Sequence, residues 1–249
     1  MSAALRTAGR HGKLAKKSDY RTLRMSSYLK SVPTAPEAVD NIGRAVTATK
    51  SDVGTLFPLD GNGNYGNCTI CGLAHLETLW EAFLGKTLIP AQSLVEKTYF
   101  QLTGGADTGL AELDVLNWWR KNRFNGSNIL CYVSVDPSNM EHVKLAISMF
   151  GALYLGLQCT SEIDQQFEAQ VPWTPGKLTT DGHCVVVPNY NPTLLRCLTW
   201  GGDQDMTYDF WKQCVDECYA PVPFEATLPG FSPIWDWSQL NADLRLVTN

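Results

Sequence analysis

The chain has 249 residues, of which 44% are hydrophobic and 18% charged, enough to bury a substantial core in one large domain or two modest ones. Its eight cysteines are too sparse for a disulfide-held scaffold, and no apolar run approaches the roughly 20 residues of a membrane helix. The start, MSAALRTAGRHGKLAKKSDYRTLR, lacks the apolar stretch of a signal peptide, so the expectation is a cytoplasmic protein with reduced thiols. The net charge of −5 is unevenly spread. Residues 1–30 carry eight basic side chains against Asp19 alone, a charge of +7 that leaves −12 on the rest. This basic arm, with Arg6, Arg10, Lys13, Lys16, Lys17, Arg21 and Arg24, suits contact with nucleic acid, an acidic membrane surface or an acidic protein surface; the plain alternative is a solvated terminus.

Residues 1–50 lack sustained apolar periodicity, and SVPTAPEAVD reads as an extended connection, so this segment is expected to be arm and linker. A short apolar stretch, VGTLFPLD, precedes a loop-forming run of Gly and Asn at 61–67. From Asn67 the steps Ile70, Leu73, Leu76, Trp80 and Phe83 predict an amphipathic helix ending near Gly85. Further helices are predicted over 91–102 and 111–121. After residue 125 the pattern changes: strands over 127–135 and 152–158 enclose a helix at 140–151, and strand-like runs at 181–191 and 194–202 form a hairpin turning at Asn191-Pro192. TYDFWKQCVDECYA (207–220) reads as a helix, with Asp203 and Asp205 before it as solvated loop acids or caps, and a Pro- and Trp-rich tail follows. Helices first and strands later argue for an α+β chain with a helical half and a sheet half. The domain expected at 51–224 then lies between the arm and a tail at 225–249.

GNGNYGNCTICG places Cys68 where a flexible loop opens a helix, a position that stabilises a thiolate and offers loop amides to a developing oxyanion. Cys68 is read as a nucleophile. The competing readings are an inert buried cysteine, a redox pair with Cys71, and a zinc site with Cys71, Cys214 and Cys218; the last two lie four apart on a predicted helix, an uncommon zinc spacing. A nucleophile needs a base, and the chain has four histidines. His11 lies in the arm, His75 within the helix of Cys68, and His142 on a polar helix start. His183 opens a strand in DGHCVVV, a placement suited to a cleft edge, with capping of that strand beside Asp181 as its bland alternative. Neither a metal nor a cofactor is called for.

The block GNGNYGNCT resembles the nucleophile loop of papain-like cysteine peptidases in their bacterial and phage form. DGHCVVVPNYN is similar to that family's Gly-His-Ala-Val block, and LTWGG to its Asn-Ser-Trp-Gly block, all three in family order over residues 53–222. The resemblance implies a papain-like fold with a cleft between a helical half and an antiparallel sheet half. It implies Cys68 as nucleophile, His183 as general acid/base, and Asn62, six residues before the cysteine, in place of the family's oxyanion glutamine. The family's histidine-orienting asparagine falls on Leu198, which offers no hydrogen bond. Thr199 is the nearest polar substitute, on the other face of the strand, and Trp200 matches the tryptophan that shields the histidine. The resemblance implies a cysteine hydrolase acting on a peptide or amide. The departures at positions 62 and 198 together with the basic arm also admit a second reading, a papain-like structural or docking protein with little turnover, such as a phage virion component bound to capsid proteins.

Overall fold

The computed structural model describes residues 6–223 and 234–247. Residues 6–24 form no helix or strand beyond single bridges at Lys13 and Arg24 and lead to a single turn of tight helix at Met25–Ser27. β1 (Val39–Asp40) then enters α1 (Asn41–Thr49), where the Asp40 carboxylate accepts from the Gly43 N–H and caps the helix. A helix here differs from the expected linker. Ile42 and Ala45 give it a short apolar face that joins the core around the central helix, enough for packing to override a weak local pattern.

After the short α2 (Val53–Leu56) comes α3 (Cys68–Phe83), beginning at the predicted cysteine. Its apolar steps suggest one buried stripe, yet every residue from Cys68 to Leu79 is buried, because helices cover one side and the sheet the other. α4 (Gln92–Leu102) and α5 (Glu112–Lys121) begin within a residue of their predicted starts and bury Val95, Tyr99, Leu113, Leu116 and Trp119. Glu112 and Asp114 in the first turn of α5, with Arg120 and Lys121 in its last, suit the helix dipole.

The second half comprises β2 (Ile129–Ser134), α6 (Met140–Phe150), β3 (Leu153–Thr160), α7 (Ile163–Glu168), β4 (Leu178–Tyr190), β5 (Leu194–Thr199), β6 (Gly202–Thr207), α8 (Tyr208–Cys214), β7 (Val215–Pro223) and α9 (Trp237–Val247). Strands run β2-β7-β3-β4-β5-β6 across one antiparallel sheet, and β1 pairs with β4. The expected hairpin turn is present, with the Asn191 carboxamide oxygen accepting from the Thr193 and Leu194 N–H groups. Two expectations are corrected. The run 207–220 is not one helix: Val215 adopts an extended conformation and the chain enters the sheet between β2 and β3. Asp203 and Asp205 lie on β6, not in a loop, and bind Arg196 at 3.1 and 2.7 Å, while Thr207 caps α8 by accepting from the Phe210 N–H.

Strand alternation divides two cores. Cys184, Val186 and Leu198 face α1, α3, α4 and α5, whereas Val185, Val187 and Cys197 face the side closed by α6 to α9. Residues 225–233 and 248–249 of the expected tail lie outside the described residues. No described helix is long and apolar enough to cross a membrane. The start of α3 and the ends of β4 and β5 converge at one place, and there the predicted chemistry gathers.

Candidate active site

The Gly/Asn loop bends sharply to deliver Cys68. Asp60 and Gly61 take positive φ values of 52° and 80°, and the Asn67 carboxamide donates to the Asp60 carbonyl at 2.8 Å, closing the loop beneath the helix start. Cys68 is the first residue of α3 and lines a small cavity together with Asn62, His183, Leu198, Thr199 and Trp200. All five residues nominated from the sequence are therefore in one place. Asn62 turns its amide inward, where Nδ2 donates to the Arg10 and Tyr65 carbonyls at 3.0 Å each.

His183 is buried near the middle of the long β4, opposite Leu157. Its Nε2 and the Thr199 Oγ1 are 2.7 Å apart, and its Nδ1 is buried without a hydrogen-bond partner among the described residues. Leu198 packs into the core beside α3, and the next residue supplies the hydrogen bond instead. Trp200 stacks on His183 with ring centroids 4.6 Å apart and planes 26° apart, held there by positive φ at Trp200 and Gly201 that turns β5 away from the imidazole. Burial, with His11 adding to it, holds the His183 pKa well below the ordinary histidine value.

The basic arm crosses this site. The Arg10 N–H donates to the Asn62 carbonyl at 2.6 Å, those of Gly12 and Lys13 to Gly182, and that of Leu14 to Leu110, while the Leu110 N–H donates to the Gly12 carbonyl. The fit depends on glycine. A Cβ at Gly12 would lie 1.8 Å from the Gly66 carbonyl oxygen, one at Gly109 2.3 Å from that of Gly12, and one at Gly9 2.3 Å from the Trp200 ring. His11 lies against His183 and Trp200, with its Nε2 3.0 Å from the Asp164 carboxylate. Six of the arm's eight cations are engaged by its own chain: Arg6 by Asp203, Arg10 by Asp107, Lys13 by Asp216 and Glu217, Lys16 by the Asp216 carbonyl, Lys17 by Asp114 and Arg21 by Asp19. An acidic protein surface was among the partners expected for the arm, and the acidic surface it meets in the structure is that of its own body.

With the arm in place Cys68 is 2% exposed, and burial pushes its thiol up to about 11 although the Cys184, Gly12 and Thr69 amides pull the other way. The helix start alone predicts the opposite shift; exclusion of water outweighs it here. Of the other candidates, His75 and Cys71 line the same cavity: His75 is buried against the Pro58 carbonyl at 3.0 Å and held down to about 4 by burial, and Cys71 is a buried thiol beside Asp60. His142 lies in the first turn of α6, outside the cavity. The described residues contain no group of three or more His, Cys, Asp or Glu side chains arranged to hold a metal, and all eight cysteines are free and buried. Sequence reasoning overlooked Gly9, His11, Gly12 and Lys13 as parts of this site. The two glycines in TAGRHGK were the available signal, since close backbone contact needs them.

No protein-family model matches the chain, and no curated protein matches it in sequence. Solved structures do resemble it. Xylellain, a cysteine protease from Xylella fastidiosa, aligns at 16% identity with a TM-score of 0.65 over 90% of this chain and 99% of its own. Procathepsin B from Trypanosoma congolense aligns at 10% identity and 0.56 over 86% of each chain, and a cysteine protease from Carica candamarcensis at 12% and 0.53 over 76% of this chain and 99% of its own. A helical half, an antiparallel sheet half and these superpositions agree: the chain has a papain-like fold.

Proposed function

We propose that the chain is a cysteine hydrolase acting on a peptide or amide bond, held latent by its own basic arm. The observation that carries this reading is the His183 arrangement: Nε2 bonded to Thr199 and Nδ1 unpartnered, in the cavity that Cys68 lines. An Nε2–H donated to Thr199 fixes the tautomer that leaves Nδ1 as a base. In the reaction, Cys68 passes its proton to His183 and the sulfur attacks the scissile carbonyl. The resulting oxyanion accepts from the Asn62 amide, which here already donates to a carbonyl of the arm. Collapse of the tetrahedral intermediate expels the amine, which takes the proton from His183 and leaves a thioester. Water, deprotonated by His183, then hydrolyses the thioester and restores the thiol. Thr199 is a positioning residue that stands in for the asparagine absent at Leu198, and Trp200 keeps water from the His183–Thr199 bond.

The test is alkylation of Cys68 in the full-length chain at neutral pH, followed by mass spectrometry. The enzyme reading expects Cys68 to react faster than Cys71 once the arm is loosened, and to lose that advantage in a His183→Ala variant. A Cys68 that stays as inert as Cys71 would leave the silent docking protein as the better account, which the seated arm also suits.

A further inference from the structure

The arm does more than cover the cavity: it inserts one side chain into the sheet. Gly156 on β3 lies opposite Cys184 on β4 and Glu217 on β7, so the three share one face, and the missing side chain at 156 leaves a hole between its neighbours. Lys13 fills the hole. A Cβ at Gly156 would lie 2.1 Å from Lys13 Cε, 2.6 Å from Glu217 Cγ and 2.9 Å from Glu112 Oε1. The Lys13 ammonium lies 2.9 Å from both Glu217 and Asp216, and its side chain is 2% exposed. Glu112, at the start of α5, is fully buried, and beside Lys13 its polar neighbour is the Cys184 thiol.

From this geometry we infer that the hole over Gly156 is a specificity pocket for a lysine or arginine side chain of the substrate, and that Lys13 is its occupant in the latent chain. The inference rests on the hydrolase reading above. The backbone that seats Lys13, the Leu110 and Gly182 edges, is the ladder along which any extended peptide entering this cleft would pair, so a substrate residue seated there sends its side chain into the same hole. Withdrawal of Lys13 leaves Glu112 and Glu217 buried with no cation, which favours a cationic side chain and penalises an acidic or apolar one. Charge distribution agrees. Burial opposes the Lys13 charge, but Glu217, Glu112 and Asp216 outweigh it and raise the Lys13 pKa.

The experiment uses the full-length Gly12→Ala/Lys13→Ala chain, in which the arm is lifted and the pocket emptied, and dipeptidyl vinyl sulfones carrying Lys, Arg, Leu or Glu at each of the two residues nearest the reactive carbon. Labelling of Cys68 is read by intact mass. Lys and Arg at one of the two positions are expected to label at least tenfold faster than Leu, and Glu217→Leu in the same background is expected to reverse the order. Equal rates for Lys and Leu, or a preference untouched by Glu217→Leu, overturn the proposal. Should the double variant not fold, Gly12→Ala alone displaces the arm without altering the pocket's acids. Failure of the hydrolase reading shows separately, as loss of labelling by every probe and by iodoacetamide. In that event calorimetric binding of unreactive acetyl-dipeptide amides to the Cys68→Ala/Gly12→Ala chain still decides the pocket, and equal affinities for Lys and Leu peptides overturn it.

Discussion

Replacing Gly12 with alanine isolates the arm's role, because the new methyl group would sit 1.8 Å from the Gly66 carbonyl oxygen and 2.2 Å from its carbon, both backbone atoms with nowhere to move. The arm must lift. Lifting forfeits the bonds from the Gly12 and Lys13 amides to Gly182, from Leu110 to Gly12 and from Leu14 to Leu110. At about 1 kcal/mol net for each bond this is roughly 4 kcal/mol. Since every 1.4 kcal/mol is tenfold, the open fraction rises by up to about 10³. Opening also returns water to Cys68, whose thiol burial now holds at about 11, so the thiolate fraction at neutral pH grows as well. Iodoacetamide labelling of Cys68 at pH 7, with the buried Cys197 and Cys214 on the opposite side of the sheet as references in the same chain, is expected to accelerate at least a hundredfold over the unmodified protein. Equal Cys68 rates in the two chains, with matching circular dichroism, would refute the claim that the arm controls the thiol.

Two further outcomes follow from single hydrogen bonds and charges. In the Gly12→Ala background, Thr199→Val leaves His183 Nε2 buried without a partner, at a cost of about 1–3 kcal/mol, so the His183-dependent labelling rate should fall ten- to hundredfold while Thr199→Ser restores it. A pH–rate profile unchanged by Thr199→Val would remove Thr199 from the mechanism. Asp60 is buried, and burial raises its carboxyl from 3.8 to about 7, so it favours the folded state fully below pH 3.8 and that contribution is lost as pH rises through 7. The difference is about 4 kcal/mol at 1.36 kcal/mol per pH unit. Asp60→Asn, which mimics the neutral acid, should therefore raise the melting temperature at pH 8 more than at pH 5; parallel melting curves at both pH values would show that Asp60 does not titrate in this range.

The helical half is legible in the sequence because its helices carry regular apolar steps and sharp ends: Leu113, Leu116 and Trp119 are buried where α5 was predicted, and α3 starts at the predicted Cys68. Elimination among the four histidines pointed to His183 and the family resemblance to Trp200, and the two rings stack in the structure; the resemblance aligned the orienting residue with Leu198, and only the alternation of β5 shows Thr199 on the imidazole side. The largest misreading, a single helix over 207–220, occurs where β7 carries Asp216 and Glu217 inside a strand bordered by β2 and β3. Polar residues at interior strand positions mimic helical periodicity, and here they serve the pocket rather than the pattern. Gly156 interrupts the apolar run of β3 for the same reason, and Glu112 opens α5 with a fully buried carboxylate. Each is a minor local irregularity in its own element. Their common cause is Lys13, far away along the chain in a segment that reads as a solvated basic arm, and no periodicity can connect positions that meet only when the arm lies across the sheet. The arm's charge was therefore visible from composition while its address was not: the complementary acids are contributed by α5 and β7, which become neighbours only in the folded chain.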